Sequence, residues 1–310
     1  MGAEMMRLAL VLAAVFAGVT PSVALAQQRF AVIVSGATGG EEYLTQYAVW
    51  TDMLHRTLVE RMKFDPQRIR VLVESDTAET ASTAGNVRRA IASVRQQMAR
   101  NDLLFVLLVG PDLEASEWAA LLEPLPGNVV VVNTTAGSFP FIERLSGAKR
   151  VVITATDSVA QRFDTIFAEY FVRAFEDESA DLDKNARVSI WEAFASAAAG
   201  VRRHYQQRGQ LSTERSLLDD NGDGVGTSAA EQGADGAQAS RIYLEAEQPG
   251  ALPTDEELLK LLQRKALLEG ELEELKIRRA FLSAEEYAKE FERIISDYAR
   301  VSSEIRRRRE

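Results

Sequence analysis

Twelve consecutive residues carry the densest candidate chemistry of the chain: Asp181-Leu182-Asp183-Lys184-Asn185-Ala186-Arg187-Val188-Ser189-Ile190-Trp191-Glu192. Their spacing follows an EF-hand loop at nearly every position. Oxygen ligands for Ca2+ would come from Asp181, Asp183, Asn185, the Arg187 main-chain carbonyl, Ser189 and a bidentate Glu192. Val188 fits the usual apolar eighth position. The sixth is Ala186, where glycine normally makes the sharp turn, and left-handed backbone at an alanine costs on the order of 1 kcal/mol. A metal-free reading stands beside this one. Ser189 and Glu192 have the spacing of a capping box, which starts a helix without an ion, and acids ahead of it favour the helix dipole. A second acidic turn, Asp219-Asp220-Asn221-Gly222-Asp223-Gly224, supplies the first half of a similar loop. Its twelfth position is Ala230, so it reads first as a tight polar turn, with a shared ion site as the alternative.

Three further loops follow apolar runs, where open parallel sheets keep their functional groups. Ser35-Gly36-Ala37-Thr38-Gly39-Gly40 could cradle a phosphate. It lacks a Walker lysine and the full dinucleotide fingerprint, and Glu41-Glu42 would repel phosphate, so no nucleotide is expected. The other two are Gly110-Pro111-Asp112 and Asn133-Thr134-Thr135-Ala136-Gly137-Ser138-Phe139. The chain has no cysteine and two histidines, His55 and His204. That removes disulfides, thiolate ligands and cysteine nucleophiles, and leaves no basis for expecting zinc or haem. Ser138 with Asp112 and a distant histidine is the one triad the loops would permit.

The elements that must position these groups are legible as patterns. Phe30–Val34, Ile69–Val73, Leu103–Val109, Val129–Val132 and Val151–Thr154 are short apolar runs, read as strands buried on both faces. Glu41–Met62 and Asn86–Met98 carry helical stripes, with Asn86 as the expected N-cap. Helices are also expected over Asp164–Phe175 and Ile190–Gln207. The fold class is therefore α/β, a mainly parallel sheet sandwiched by helices. Trp50 and Trp191 fall in helical patterns and read as core, whereas Trp118 could line a cleft or cover a sheet edge.

Residues 222–253, rich in Gly, Ser and Ala and closed by Pro249-Gly250 and Pro253, read as a flexible linker. Beyond it, 254–310 is charged and heptad-like. Leu258, Leu261, Lys265, Leu268, Leu272 and Leu275 form one seam, with Lys265 as a polar interruption. Tyr287, Phe291, Ile294, Tyr298, Val301 and Ile305 form another, and Ser283 with Glu286 could restart a helix between them. The tail is expected as a C-terminal helical hairpin or as a coiled coil pairing with another chain, a means of self-association. Arg306–Arg309 reads as a solvated helix end.

Strand, glycine-bearing turn, long helix, strand, a Thr-x-x-Asn-Val helix start at Thr83–Val87, strand, loop, strand, loop is a recognisable succession. With Val32-Ile33-Val34-Ser35-Gly36 and Arg150-Val151-Val152-Ile153-Thr154-Ala155-Thr156, it resembles the legumain-like peptidases of the caspase/haemoglobinase fold, from about Arg29 to Asp223. The resemblance implies a caspase-like sheet. It also implies a histidine after strand three and a cysteine after strand four, positions that fall here on Pro111 and Thr134. Both halves of the dyad are missing. What the resemblance then implies is a pseudoenzyme, with Gly110, Asp112, Thr135, Gly137 and Ser138 lining a vestigial cleft that serves protein interaction. The alternative is a hydrolase using a hydroxyl nucleophile or a metal at the same cleft.

Composition sets the outer limits. The chain has 310 residues, 46% hydrophobic and 26% charged, with a net charge of −10. Such an acidic chain is a poor polyanion binder, so nucleic acid is not an expected partner. Residues 1–26 have the grammar of a signal peptide: Arg7, an apolar run over Leu8–Val19, Pro21, and Ala24-Leu25-Ala26 before the expected cut. Export to a periplasm or out of the cell is expected, with residues 27–221 as the α/β domain. No later segment is apolar enough to span a bilayer.

Overall fold

The computed structural model describes residues 27–36, 39–110, 113–161, 163–229, 231, 234–246, 256–279 and 282–308. The signal-peptide segment, Pro111, Asp112, Ala230 and the prolines at 249 and 253 lie outside them.

Six strands form one sheet in the order β2-β1-β3-β4-β5-β6: β1 (Arg29–Ser35), β2 (Ile69–Leu72), β3 (Leu103–Val109), β4 (Asn128–Asn133), β5 (Arg150–Thr154) and β6 (Leu217–Asp219). β1 to β5 are parallel, and β6 runs antiparallel to β5 with Val152 opposite Asp219. The period of two divides each strand between two cores. Ala31, Ile33, Phe105, Leu107, Val130, Val132, Val151 and Ile153 point to one face; Phe30, Val32, Val34, Leu104, Val106, Val129, Val131 and Val152 point to the other. The unbroken apolar runs of the sequence are therefore strands with no solvent face.

Helices α2 (Ala84–Gln97), α3 (Ala115–Leu122) and α4 (Pro140–Leu145) cover the second face. The first is covered by α1 (Glu41–Arg56), α5 (Phe167–Ala174), α6 (Ile190–Gln207) and the C-terminal helices α7 (Glu256–Arg278) and α8 (Ala284–Arg307). α1 passes into a π-turn over Thr57–Arg61, so the stripe read to Met62 is one element with a widened end. Trp118 is fully buried among the second-face residues, so it covers the sheet.

Three expectations need correction. The N-cap of α2 is Thr83, whose hydroxyl accepts the Asn86 amide proton at 3.3 Å. Asn86 lies inside the first turn and donates its side-chain amide to the Ala78 and Ala81 carbonyls, pinning the preceding turn. α5 begins at Phe167, three residues later than read, where the Glu214 carboxylate accepts the Ile166 and Phe167 amides. The described part of 222–246 is packed. Thr227 pairs with Leu218 beside β6, and Ala239 and Leu244 are fully buried. Asp220 gives this Gly- and Ala-rich stretch its order by accepting the Gly236, Gln238 and Ala239 amides at 2.7–2.8 Å.

The C-terminal helices extend the same core. Leu258, Leu259, Leu262, Leu268 and Leu275 of α7 are buried with α5 and α6, and Ile294, Val301 and Ile305 of α8 join them. Between α7 and α8 run the ion pairs Arg264–Asp297 (3.5 Å) and Glu271–Arg293 (2.9 Å). Ser283 caps α8 in a complete capping box with Glu286. No described helix is long and apolar enough to cross a membrane.

Candidate metal centre

The acidic loop lies between a short 3-10 turn at Glu178–Ala180 and the first turn of α6. Leu182 and Val188 anchor it to the core as buried apolar residues. Its polar groups face one another. Asp181 accepts the amides of Asn185 (3.0 Å) and Ala186 (2.8 Å). Asp183 accepts the Asn185 amide (2.9 Å) on one oxygen and the Asn185 side-chain amide (2.9 Å) on the other. Asn185 in turn accepts the Arg187 amide at 2.8 Å. Lys184 and Ala186 take positive φ angles of 60° and 63°, so the sharp turn is made there without glycine.

Glu192 closes the loop end to end. One carboxylate oxygen accepts the Leu182 and Asp183 amides at 2.9 and 3.2 Å; the other accepts the Ser189 amide and hydroxyl at 2.9 and 2.8 Å. Ser189 returns the bond by accepting the Glu192 amide, so the capping box is formed as well. Burial, and then the neighbouring Asp183 charge, push Glu192 up to about 7 against the pull of its hydrogen bonds.

The carboxylates of Asp181, Asp183 and Glu192 offer oxygens within 4.8 Å of one another, and all three residues are buried. An all-oxygen, carboxylate-rich set of this size has the donor chemistry of a hard divalent cation. Arg187 keeps its side chain away from the acids: the guanidinium lies 3.9 Å over the Tyr243 ring and 3.4 Å from the Glu245 carboxylate. An antiparallel bridge between Ser189 and Tyr243 ties the loop's far end to the 234–246 segment.

The second acidic turn repeats the same hydrogen-bond pattern. Asp219 accepts the Gly224 amide at 2.9 Å, as Asp181 accepts that of Ala186 five residues on. Asp223 accepts the Val225 amide at 2.7 Å, as Asn185 accepts that of Arg187. Gly222 and Gly224 hold the positive φ angles that Lys184 and Ala186 hold in the first loop. Among the described residues no third carboxylate joins Asp219 and Asp223 in a cluster that could hold an ion, and Glu231 pairs with Arg215. Asp219 and Asp223 thus shape a tight turn, as the sequence suggests, whereas the structural role of Asp220 carries no spacing signal.

At the carboxyl end of β4 the Thr134 and Ser138 hydroxyls are occupied. Thr134 is buried and donates to the Leu108 carbonyl at 2.8 Å. Ser138 is fully buried; its oxygen lies 3.0 Å from that of Thr156 and accepts the Ala155 and Thr156 amides. The Thr135 amide is tied to the Asn133 side chain, and Gly137 sits in the same turn. Gly110 takes a φ of 78°, and a Cβ there would meet the Tyr47 ring at 2.9 Å, so Tyr47 packs onto the end of β3 beside β1. His204 faces Tyr170 with a nitrogen 3.1 Å from its hydroxyl, and His55 is exposed near the end of α1.

The spacing of the loop does not announce a further participant, Lys265 of α7, which donates to the Leu182 carbonyl at 2.6 Å inside the acidic loop. Its position as the polar break in a leucine seam was the available signal. No protein-family model matches this chain, and no curated protein matches it.

Proposed function

We propose that this chain is an exported, non-catalytic relative of the legumain-like peptidases, a pseudoenzyme that acts as a protein-interaction module with a calcium-stabilised loop. In this reading the sheet is a caspase-like scaffold, and α7 with α8 is a hairpin docked on it. The observation that carries it is the state of the hydroxyls in the loop after β4. Thr134, at the position of the family's cysteine, spends its proton on a main-chain carbonyl, and Ser138 has no exposed surface. A nucleophile needs an adjacent base and access to a substrate carbonyl; among the described residues no base adjoins either hydroxyl, and both residues are buried.

Interaction then falls to the surface, where α8 offers Phe291 and Ile295 as exposed apolar side chains. The test pairs two assays on the purified chain. A mixed peptide library should remain uncut, and affinity capture from the native host should recover a specific partner that Phe291→Asp with Ile295→Asp loses. Peptide cleavage that follows the protein and disappears in Thr134→Ala or Ser138→Ala would overturn the reading. The two apolar residues are preferable to truncation at 253, because removing α7 would uncover the core that α5 and α6 share with it.

A further inference from the structure

Between α6 and α7 lies a cavity of about 430 Å³, walled by Phe167, Ala195, Ala199, Ala266 and Gly270 among others. Its size is that of a small-molecule site, which typically spans about 300–1,000 Å³. Four charged residues line it, and three have their polar groups engaged within the protein. Glu214 accepts the Ile166 and Phe167 amides and the Tyr205 hydroxyl. Arg215 pairs with Asp157 and Glu231. Glu271 pairs with Arg264 and Arg293.

The fourth is Arg202 of α6. It makes no hydrogen bond or ion pair with the described groups, while its half-buried guanidinium lies over Gly270, where a Cβ would come within 2.5 Å of it. A second cavity, of about 220 Å³, shares Ala195, Ala199, Arg202, Ala266 and Gly270 with the first. The guanidinium therefore stands at the wall common to two spaces. An alanine-faced cavity in which one guanidinium is the charged lining group with its donors unengaged among the described residues is complementary to a single anionic head on an apolar body. Arg offers a planar fork that matches a carboxylate with two parallel hydrogen bonds.

We propose that this cavity binds a small amphiphilic carboxylate, with its head on Arg202 and its apolar body along the facing small residues of α6 and α7. This goes beyond the interaction-module reading and does not depend on it. The test is calorimetric titration of the full-length protein with octanoate, octan-1-ol and octylamine. Octanoate should bind saturably at one site, octan-1-ol at least about tenfold more weakly, and octylamine not measurably. Arg202→Met should weaken octanoate at least about tenfold and leave octan-1-ol unchanged, while Ala199→Phe, which fills the cavity, should weaken both. Circular dichroism melting identifies any variant that fails to fold; if Ala199→Phe does, the two-ligand comparison on Arg202→Met stands alone. No saturable octanoate binding, or octanoate binding undiminished in Arg202→Met, overturns the proposal.

Discussion

The Lys265 ammonium and the Leu182 carbonyl meet at 2.6 Å, joining the C-terminal helix α7 to the acidic loop across 83 residues of sequence. Both groups are buried. Burial lowers the lysine pKa, while Glu269, Asp181 and Glu192 counter it by favouring the charged form. Lys265→Met keeps the length of the side chain and removes the donor and the charge. The unpaired Leu182 carbonyl should cost about 1–3 kcal/mol in urea denaturation with chelator present. Loss of a cation beside three carboxylates should enlarge the rise in melting temperature produced by millimolar calcium, and Glu192→Gln should abolish that rise. A calcium response that is identical in wild type and Lys265→Met would mean that the lysine does not sense the loop.

Ala186 sits at a φ of 63° in the first loop, at the position where the second loop has Gly224 at 76°. The two loops share their hydrogen bonds around this residue, so the sixth position tests how much strain the alanine carries. Relief of left-handed strain is on the order of 1 kcal/mol, partly offset by the greater freedom of glycine in the unfolded chain. Ala186→Gly should therefore raise stability by up to about 1 kcal/mol without metal and should not weaken calcium binding. A loss of stability in chelator would show that the alanine methyl contributes packing that outweighs the strain.

The sheet was legible because burial on both faces leaves an unambiguous mark: Phe30–Val34 and Leu103–Val109 contain no polar side chain to compete with a strand. Helix ends were less legible, and at α5 the capping group comes from distant sequence. The start of α5 is fixed by Glu214, about fifty residues on, and no local pattern announces that. The same cause explains the segment read as a linker. Its composition is that of a flexible chain, yet Asp220 reaches forward to three of its amides and Asp235 accepts the amide of Asp220 and the hydroxyl of Thr227. At the acidic loop the spacing brought Asp181, Asp183 and Glu192 together as read, because all three lie within one twelve-residue turn. The contribution of Lys265 depends on tertiary packing, so the seam could show only that something polar belonged there.

Gly200 of α6 is held by a neighbour on α5. A Cβ at this position would approach the Tyr170 ring to 2.3 Å. That ring also stands edge-on to His204 one turn further along α6, with the hydroxyl 3.1 Å from its Nδ1. Helix propensity alone would make Gly200→Ala stabilising by roughly 1 kcal/mol. Overpacking at a close helix contact costs typically about 1–3 kcal/mol. The steric cost should win, giving a net destabilisation by chemical denaturation that Tyr170→Ala substantially rescues in the double variant. Simple additivity of the two substitutions would place the strain elsewhere.

Glu214 supplies the pH dependence. Its carboxylate is buried beside the start of α5, and desolvation raises its pKa from 4.5 to about 6 against the opposing hydrogen bonds from Tyr205, Ile166 and Phe167. The folded chain therefore holds this proton more tightly than the unfolded chain. Its contribution to stability is fully present below pH 4.5, falls as pH rises through about 6, and is then gone. Glu214→Gln is neutral at every pH and keeps an oxygen for the two amides. It should cost some stability throughout, through the altered bond to Tyr205, while flattening the decline between pH 4.5 and 6 relative to wild type. Thermal melts at closely spaced pH values across that window measure the slope directly. An unchanged slope in Glu214→Gln would assign the pH response to other groups, and Asp235, which burial also pushes up to about 6, is the first to substitute next.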